Sequence, residues 1–139
     1  LYCASWAEKK NPLLIIGARD RSLLPFSVIP TGTDTILCTD DGSYGIQGTV
    51  LDAADSQKAD SFSAVFACGP NRMLKAVHDW SVNKKIDCYV SMEQTMGCAV
   101  GACMGCTIPM IGKKPFARVC MEGPVFDSRT INWEGLLNA

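Results

Sequence analysis

Cys98, Cys103, Cys106 and Cys120 follow one another at C-x4-C-x2-C-x13-C. The first three sit in Met96-Gly-Cys-Ala-Val-Gly-Ala-Cys-Met-Gly-Cys106, and the fourth in Arg118-Val-Cys-Met-Glu-Gly-Pro-Val-Phe126. Three thiols on one tight loop and a fourth arriving from further along the chain is the plant-type arrangement for a [2Fe–2S] cluster. Two irons bridged by two sulfides need four thiolates around a small, nearly flat body. A loop wrapping that body must bring its backbone close and turn N–H groups toward sulfur. Gly97, Gly101, Ala102 and Gly105 are small enough for that, and glycine also accepts positive φ. The rival chemistry is a structural zinc ion, which usually takes two separate short cysteine pairs. Here the x4 and x2 spacings share a middle cysteine, which suits a two-iron body better.

Further candidates lie upstream, each with a plain alternative. Cys68-Gly69-Pro70 ends a predicted strand and opens a predicted helix, where ligands meet open parallel sheets and exposed N–H groups favour an anion. An ordinary strand-to-helix turn reads the same way. The polar segment from Thr39 to Gly48 follows another predicted strand and could set Asp40 or Asp41 near a ribose. It has no G-x-G-x-x-G and no phosphate-loop lysine, and an Asp/Gly-rich turn is the alternative. Arg19 follows a predicted strand end, where a guanidinium meets phosphate or ribose or is merely solvated. His78 reads as structural. No Ser-His-Asp or paired-carboxylate constellation is visible, so no catalytic side chain is assigned.

The elements that must position these groups follow from hydrophobic pattern. Leu13–Ala18 is a short continuous apolar run, as in a strand buried on both faces. Thr35–Cys38, Ser63–Ala67 and Ile86–Val90 are three more predicted strands. Asn71–Trp80 is the clearest helix, with Met73, Leu74, Val77 and Trp80 on one face, and residues 1–10 read as the end of another. Strands alternating with helices predict an α/β fold with a parallel sheet. From Glu93 onward, Gly, Cys, Pro and short strand-like pieces take over. The expected organisation is therefore a nucleotide-binding α/β domain over 1–92 and a small cysteine-rich module over 93–139.

Composition narrows the function. The 139 residues are 47% hydrophobic and 19% charged, enough for a packed core. A formal net charge of −1 gives no footprint for nucleic acid or an anionic membrane. The longest apolar run is too short to span a bilayer, and no secretory signal is expected. Eight cysteines might suggest disulfides. Four are crowded between residues 98 and 120, however, and Cys38, Cys68 and Cys88 lie in apolar runs expected to bury reduced thiols, so a reducing cytoplasm is expected.

These pieces resemble the electron-transfer subunit of NAD-linked (B-type) dihydroorotate dehydrogenase, in the ferredoxin-reductase superfamily. The carrying segments are Thr39-Asp-Asp-Gly-Ser-Tyr-Gly45, Cys68-Gly-Pro70, Ser91-Met-Glu93, Met96 through Cys106, and Val119 through Phe126. The resemblance implies Cys98, Cys103, Cys106 and Cys120 as cluster ligands, and Arg19, Asp41, Gly42, Cys68, Gly69 and Pro70 on the nicotinamide-nucleotide side. It implies a [2Fe–2S] cluster, NAD, and FAD in the full-length protein, with an FMN-containing dihydroorotate dehydrogenase catalytic subunit as partner. Electrons would pass from that FMN through the cluster to FAD and NAD+. It also implies that the flavin barrel, and the nucleotide domain's first strand with its glycine-rich turn, lie outside these residues. The piece alone is then not expected to turn over. Related flavin/iron–sulfur subunits of cytoplasmic hydrogenases, sulfide dehydrogenases and ferredoxin–NADP reductases share much of the pattern. A zinc-stapled interaction module is the alternative of another class. Ala99 stands where the family often has glycine, and alanine is tolerable there if the residue keeps a negative φ.

Overall fold

The computed structural model describes residues 12–57 and 62–138. The helix expected over residues 1–10, with Cys3, lies outside them. Two compact units are distinguished, residues 1–60 and 61–139.

The first unit is built on a parallel sheet. Strand β1 (Leu13–Ala18) pairs along its whole length with β2 (Asp34–Thr39), and β2 pairs briefly with β3 (Ile46–Gln47). All three are parallel, as continuous apolar runs such as Leu-Leu-Ile-Ile predict. A short helix, α1 (Val50–Asp55), packs on β1 and β2. Its start is a capping box in which Thr49 and Asp52 satisfy each other's backbone N–H groups. Ala53 is fully buried beneath it.

In the second unit β4 (Ala64–Cys68) runs parallel to β5 (Asp87–Ser91), with α2 (Asn71–Lys84) as the crossover. This helix runs four residues beyond the expected end and stops at Lys85, which takes the left-handed conformation with φ +59°. Its buried stripe is Leu74, Val77 and Ser81. Ser81 can be buried because its hydroxyl donates to the His78 carbonyl at 2.7 Å.

Beyond β5 come an antiparallel hairpin of β6 (Thr107–Pro109) and β7 (Phe116–Arg118), then β8 (Val125–Asp127) and α3 (Trp133–Leu137). Strand β8 adds to β5 in antiparallel sense, so the C-terminal segment completes the second sheet. Met92 N–H donates to the Pro124 carbonyl at 2.9 Å, tying the exit of β5 to the entry of β8. The cysteine-rich stretch is thus held at both ends by one sheet. Ile108, Val119, Ile131 and Trp133 are buried beneath it. Among the described residues, no helix is long and apolar enough to cross a membrane.

Candidate metal centre

The hairpin positions two of the four thiols. Its register pairs Thr107 with Arg118 and Ile108 with Ala117. One step further out, Val119 N–H donates to the Cys106 carbonyl at 3.0 Å. Cys106 enters β6 and Cys120 leaves β7, and their sulfurs lie 3.2 Å apart. Cys120 sits in a turn closed by Met121 and Glu122 N–H groups on the Arg118 carbonyl. Cys106 is 3% exposed, whereas Cys120 is half-buried.

The other two thiols pair on the loop between β5 and β6. Cys103 N–H donates to the Cys98 sulfur at 3.3 Å, and Gly105 N–H to the Cys103 sulfur at 3.4 Å. A Cβ on Gly97 would lie 3.3 Å from the Cys103 sulfur, and one on Gly105 3.5 Å, so the two glycines form the walls of a cradle. Gly101 adopts φ +78°, and a Cβ there would meet Met121 Cγ at 2.6 Å. Ala99 does not meet the condition of a negative φ. It lies at +56°, and Met104 at +60°. The residue after each of Cys98 and Cys103 must turn left-handed so that the following N–H groups point back at sulfur, and that need overrides the steric preference.

The electrostatics match a thiolate site. Cys98 is pulled down to about 6, first by the Cys103 backbone N–H, then by that of Val100. Cys106 is lowered, chiefly by hydrogen bonding to Cys120, and Cys120 is raised, chiefly by its hydrogen bond to Cys106. Beside them, the Arg118 guanidinium pairs with the Glu122 carboxylate and pulls it down to about 2. Neither residue was singled out from sequence, although they flank Cys120 symmetrically at two residues on either side.

Among the described residues, no three His, Cys, Asp or Glu side chains converge as a group able to hold one ion. The thiols instead form two pairs, Cys98/Cys103 and Cys106/Cys120. A donor set of soft sulfurs in pairs, with N–H groups aimed at them and glycine walls, fits a two-iron body.

The residues that the resemblance assigns to a nucleotide fall in both units. In the first, Arg19, Asp41 and Gly42 lie together at the carboxyl ends of β1 and β2. Asp41 N–H donates to the Arg19 carbonyl at 3.3 Å, and Gly42 N–H to that of Thr39 at 3.2 Å. Asp41 accepts from Ser43 N–H at 2.9 Å, and its carboxyl is lowered by Ser43. In the second unit, Cys68, Gly69 and Pro70 lead from β4 into α2. Pro70 is its N-cap and supplies no side-chain cap. Cys68 is exposed, not buried as its apolar run suggested, because it ends the strand. Its sulfur lies 4.0 Å from Glu93 Oε1.

Comparison with known proteins agrees with the resemblance drawn from sequence. Residues 93–132 match the family model described as the iron–sulfur cluster binding domain of dihydroorotate dehydrogenase B, a span containing all four thiols. The chain is 43% identical over 94 residues to the dihydroorotate dehydrogenase B (NAD(+)) electron transfer subunit of Geobacillus thermodenitrificans, covering 67% of this chain and 35% of that protein. With the same subunit of Caldanaerobacter subterraneus, identity is 31% over 128 residues, covering 91% and 51%. The chain therefore spans about a third to a half of the length of the curated relatives it matches. Among solved structures, an NADH-dependent reduced ferredoxin–NADP oxidoreductase described for flavin-based electron bifurcation shares the fold. Its TM-score is 0.83 at 24% identity, over 99% of this chain and 51% of that one.

Proposed function

We propose that this chain forms the nicotinamide-nucleotide and iron–sulfur part of an electron-transfer subunit of the dihydroorotate dehydrogenase B kind. The observation that carries this reading is the division of the four thiols into two hydrogen-bonded pairs inside the segment that matches the iron–sulfur domain. In it, Cys98 and Cys103 hold one iron, and Cys106 and Cys120 the other. A [2Fe–2S] cluster bound there supplies one-electron transfer.

The chain's own residues prepare that site. The N–H groups of Cys103 and Gly105 stabilise negative charge on sulfur, as charge-assisted donors do. Gly97 lets the backbone approach where a methyl group would press on the Cys103 sulfur. Ile108 and Val119, the residues next but one and next to these thiols, are buried with Cys106 and fix the Cys106/Cys120 end of the hairpin. On the nucleotide side, Arg19 and Asp41 offer a guanidinium and a carboxylate to a ribose phosphate, and Gly42 supplies the turn between the strands at φ +73°. The first turn of α2 after Cys68-Gly69-Pro70 offers N–H groups to phosphate. FAD and an FMN-containing catalytic subunit complete the electron path in the whole protein, and NAD(H) is the nucleotide. Seven described cysteines are free thiols, which suits the cytoplasm. We assign the α/β domain to residues 1–92 and the cluster module to 93–139.

Anaerobically prepared protein should be brown, bleach with dithionite and contain equal iron and sulfide. Cys106→Ser should lose or shift the visible spectrum, whereas Cys38→Ser, at a fully buried position in β2, should keep it. A colourless protein with one zinc per chain would reject the proposal. Identical spectra for both variants would reject the ligand assignment.

A further inference from the structure

Arg118 links the three-cysteine loop to the turn that carries the fourth cysteine. Its Nη1 donates to the Gly101 carbonyl at 3.1 Å. Its Nε donates to both Glu122 carboxylate oxygens at 3.2 Å, and Nη2 donates to Oε1. The Arg118 backbone N–H donates to Glu122 Oε2 at 2.7 Å, so the carboxylate is held by main chain and side chain of one residue. Cys120 lies midway between the two, in the turn they close. A Cβ on Gly101 would lie 3.2 Å from Nη1, so the guanidinium packs closely against that glycine.

Folding stability is a poor reason for this arrangement. Both side chains are about a third or more exposed, at 32% and 42%, and surface ion pairs contribute little. The placement matters for charge instead. A cluster bound by four thiolates is anionic, and reduction adds one more negative charge. A guanidinium beside the ligand turn eases that addition, and a carboxylate opposes it.

Building on the cluster reading above, we infer that Arg118 and Glu122 are positioning residues for the cluster. Together they clamp the Cys120 turn to the Gly101 loop, and their opposed charges set how readily the cluster accepts an electron.

The test compares wild-type protein with Arg118→Gln, Glu122→Gln, the double variant and Arg118→Lys, all prepared anaerobically. Iron and sulfide are counted, and midpoint potentials are taken from dye-mediated titrations followed in the visible range. Glu122→Gln should favour the reduced form and Arg118→Gln the oxidised form, each by about three- to tenfold, or about 28–59 mV at 59 mV per tenfold. The double variant should return close to wild type. Arg118→Lys should keep the potential but lose iron to a chelator at least about threefold faster, since an ammonium lacks the rigid fork. A merely structural pair would move both single-variant potentials the same way or not at all. Either result, in proteins that hold the cluster, overturns the inference and leaves the function standing. If Arg118→Gln holds no iron, Glu122→Gln and Arg118→Lys decide, and an unchanged potential in the first or unchanged retention in the second overturns it. Wild-type protein without iron overturns both proposals.

Discussion

Ala99 and Gly101 pay opposite conformational penalties within one loop. Ala99 sits at φ +56°, which costs an alanine roughly 1–2 kcal/mol, whereas Gly101 at +78° fills a position made for glycine. Ala99→Gly should therefore stabilise the folded protein by about 1 kcal/mol and slow cluster loss. Gly101→Ala should do the reverse, because strain is joined by a contact of 2.6 Å with Met121. Thermal melts and chelator challenge of the two variants check this, and a shared direction would refute the loop geometry. The four thiols were legible from spacing alone, since a bridged pair of irons tolerates few ligand separations. The sign of φ at Ala99 was not legible, because it depends on where N–H groups must point. The Arg118–Glu122 brace was also hidden, since only the turn around Cys120 brings them into contact.

At the scale of elements, the C-terminal segment is locked to α2 through a histidine. His78 Nδ1 lies 2.9 Å from Ser128 Oγ, Ser128 is fully buried, and Trp133 Nε1 donates to the Ser128 carbonyl at 3.0 Å. Burial lowers the His78 pKa from its ordinary 6.5, with Asp79 and Asp127 opposing and Lys75 and Arg129 assisting. The folded state thus takes up its proton at lower pH than the unfolded chain. Stability is then full above about pH 6.5 and declines as pH falls from there through the folded-state value. The carboxylates that are lowered, such as Asp127 beside Arg129, titrate below this window. Melting temperature should fall as pH drops below about 6.5 in wild type and stay flatter in His78→Gln. Parallel curves would contradict this. The apolar runs revealed β1, β2, β4, β5 and the start of α2, because buried parallel strands are written as continuous hydrophobic sequence. The three-residue strands β6, β7 and β8 carry too little periodicity to be placed individually. They are set by pairing: β6 with β7, and β8 with β5.

For the whole molecule, motif order conveyed more than composition. Segments from Thr39 to Phe126 suggested the family, and the match over residues 93–132 and the shared fold agree with that. The split at 60/61 was not legible, since it reflects how contacts divide and not any change in residue character. The cluster module was expected from Glu93 by its Gly, Cys and Pro content, yet β8 returns to pair with β5, a long-range event that local sequence does not encode. Anomalous difference maps at the iron edge, from crystals grown without oxygen, test the central claim most directly. Two adjacent iron peaks are predicted, one bonded to the sulfurs of Cys98 and Cys103 and the other to those of Cys106 and Cys120. A single peak at the zinc edge shared by all four, or no metal among them, would contradict it.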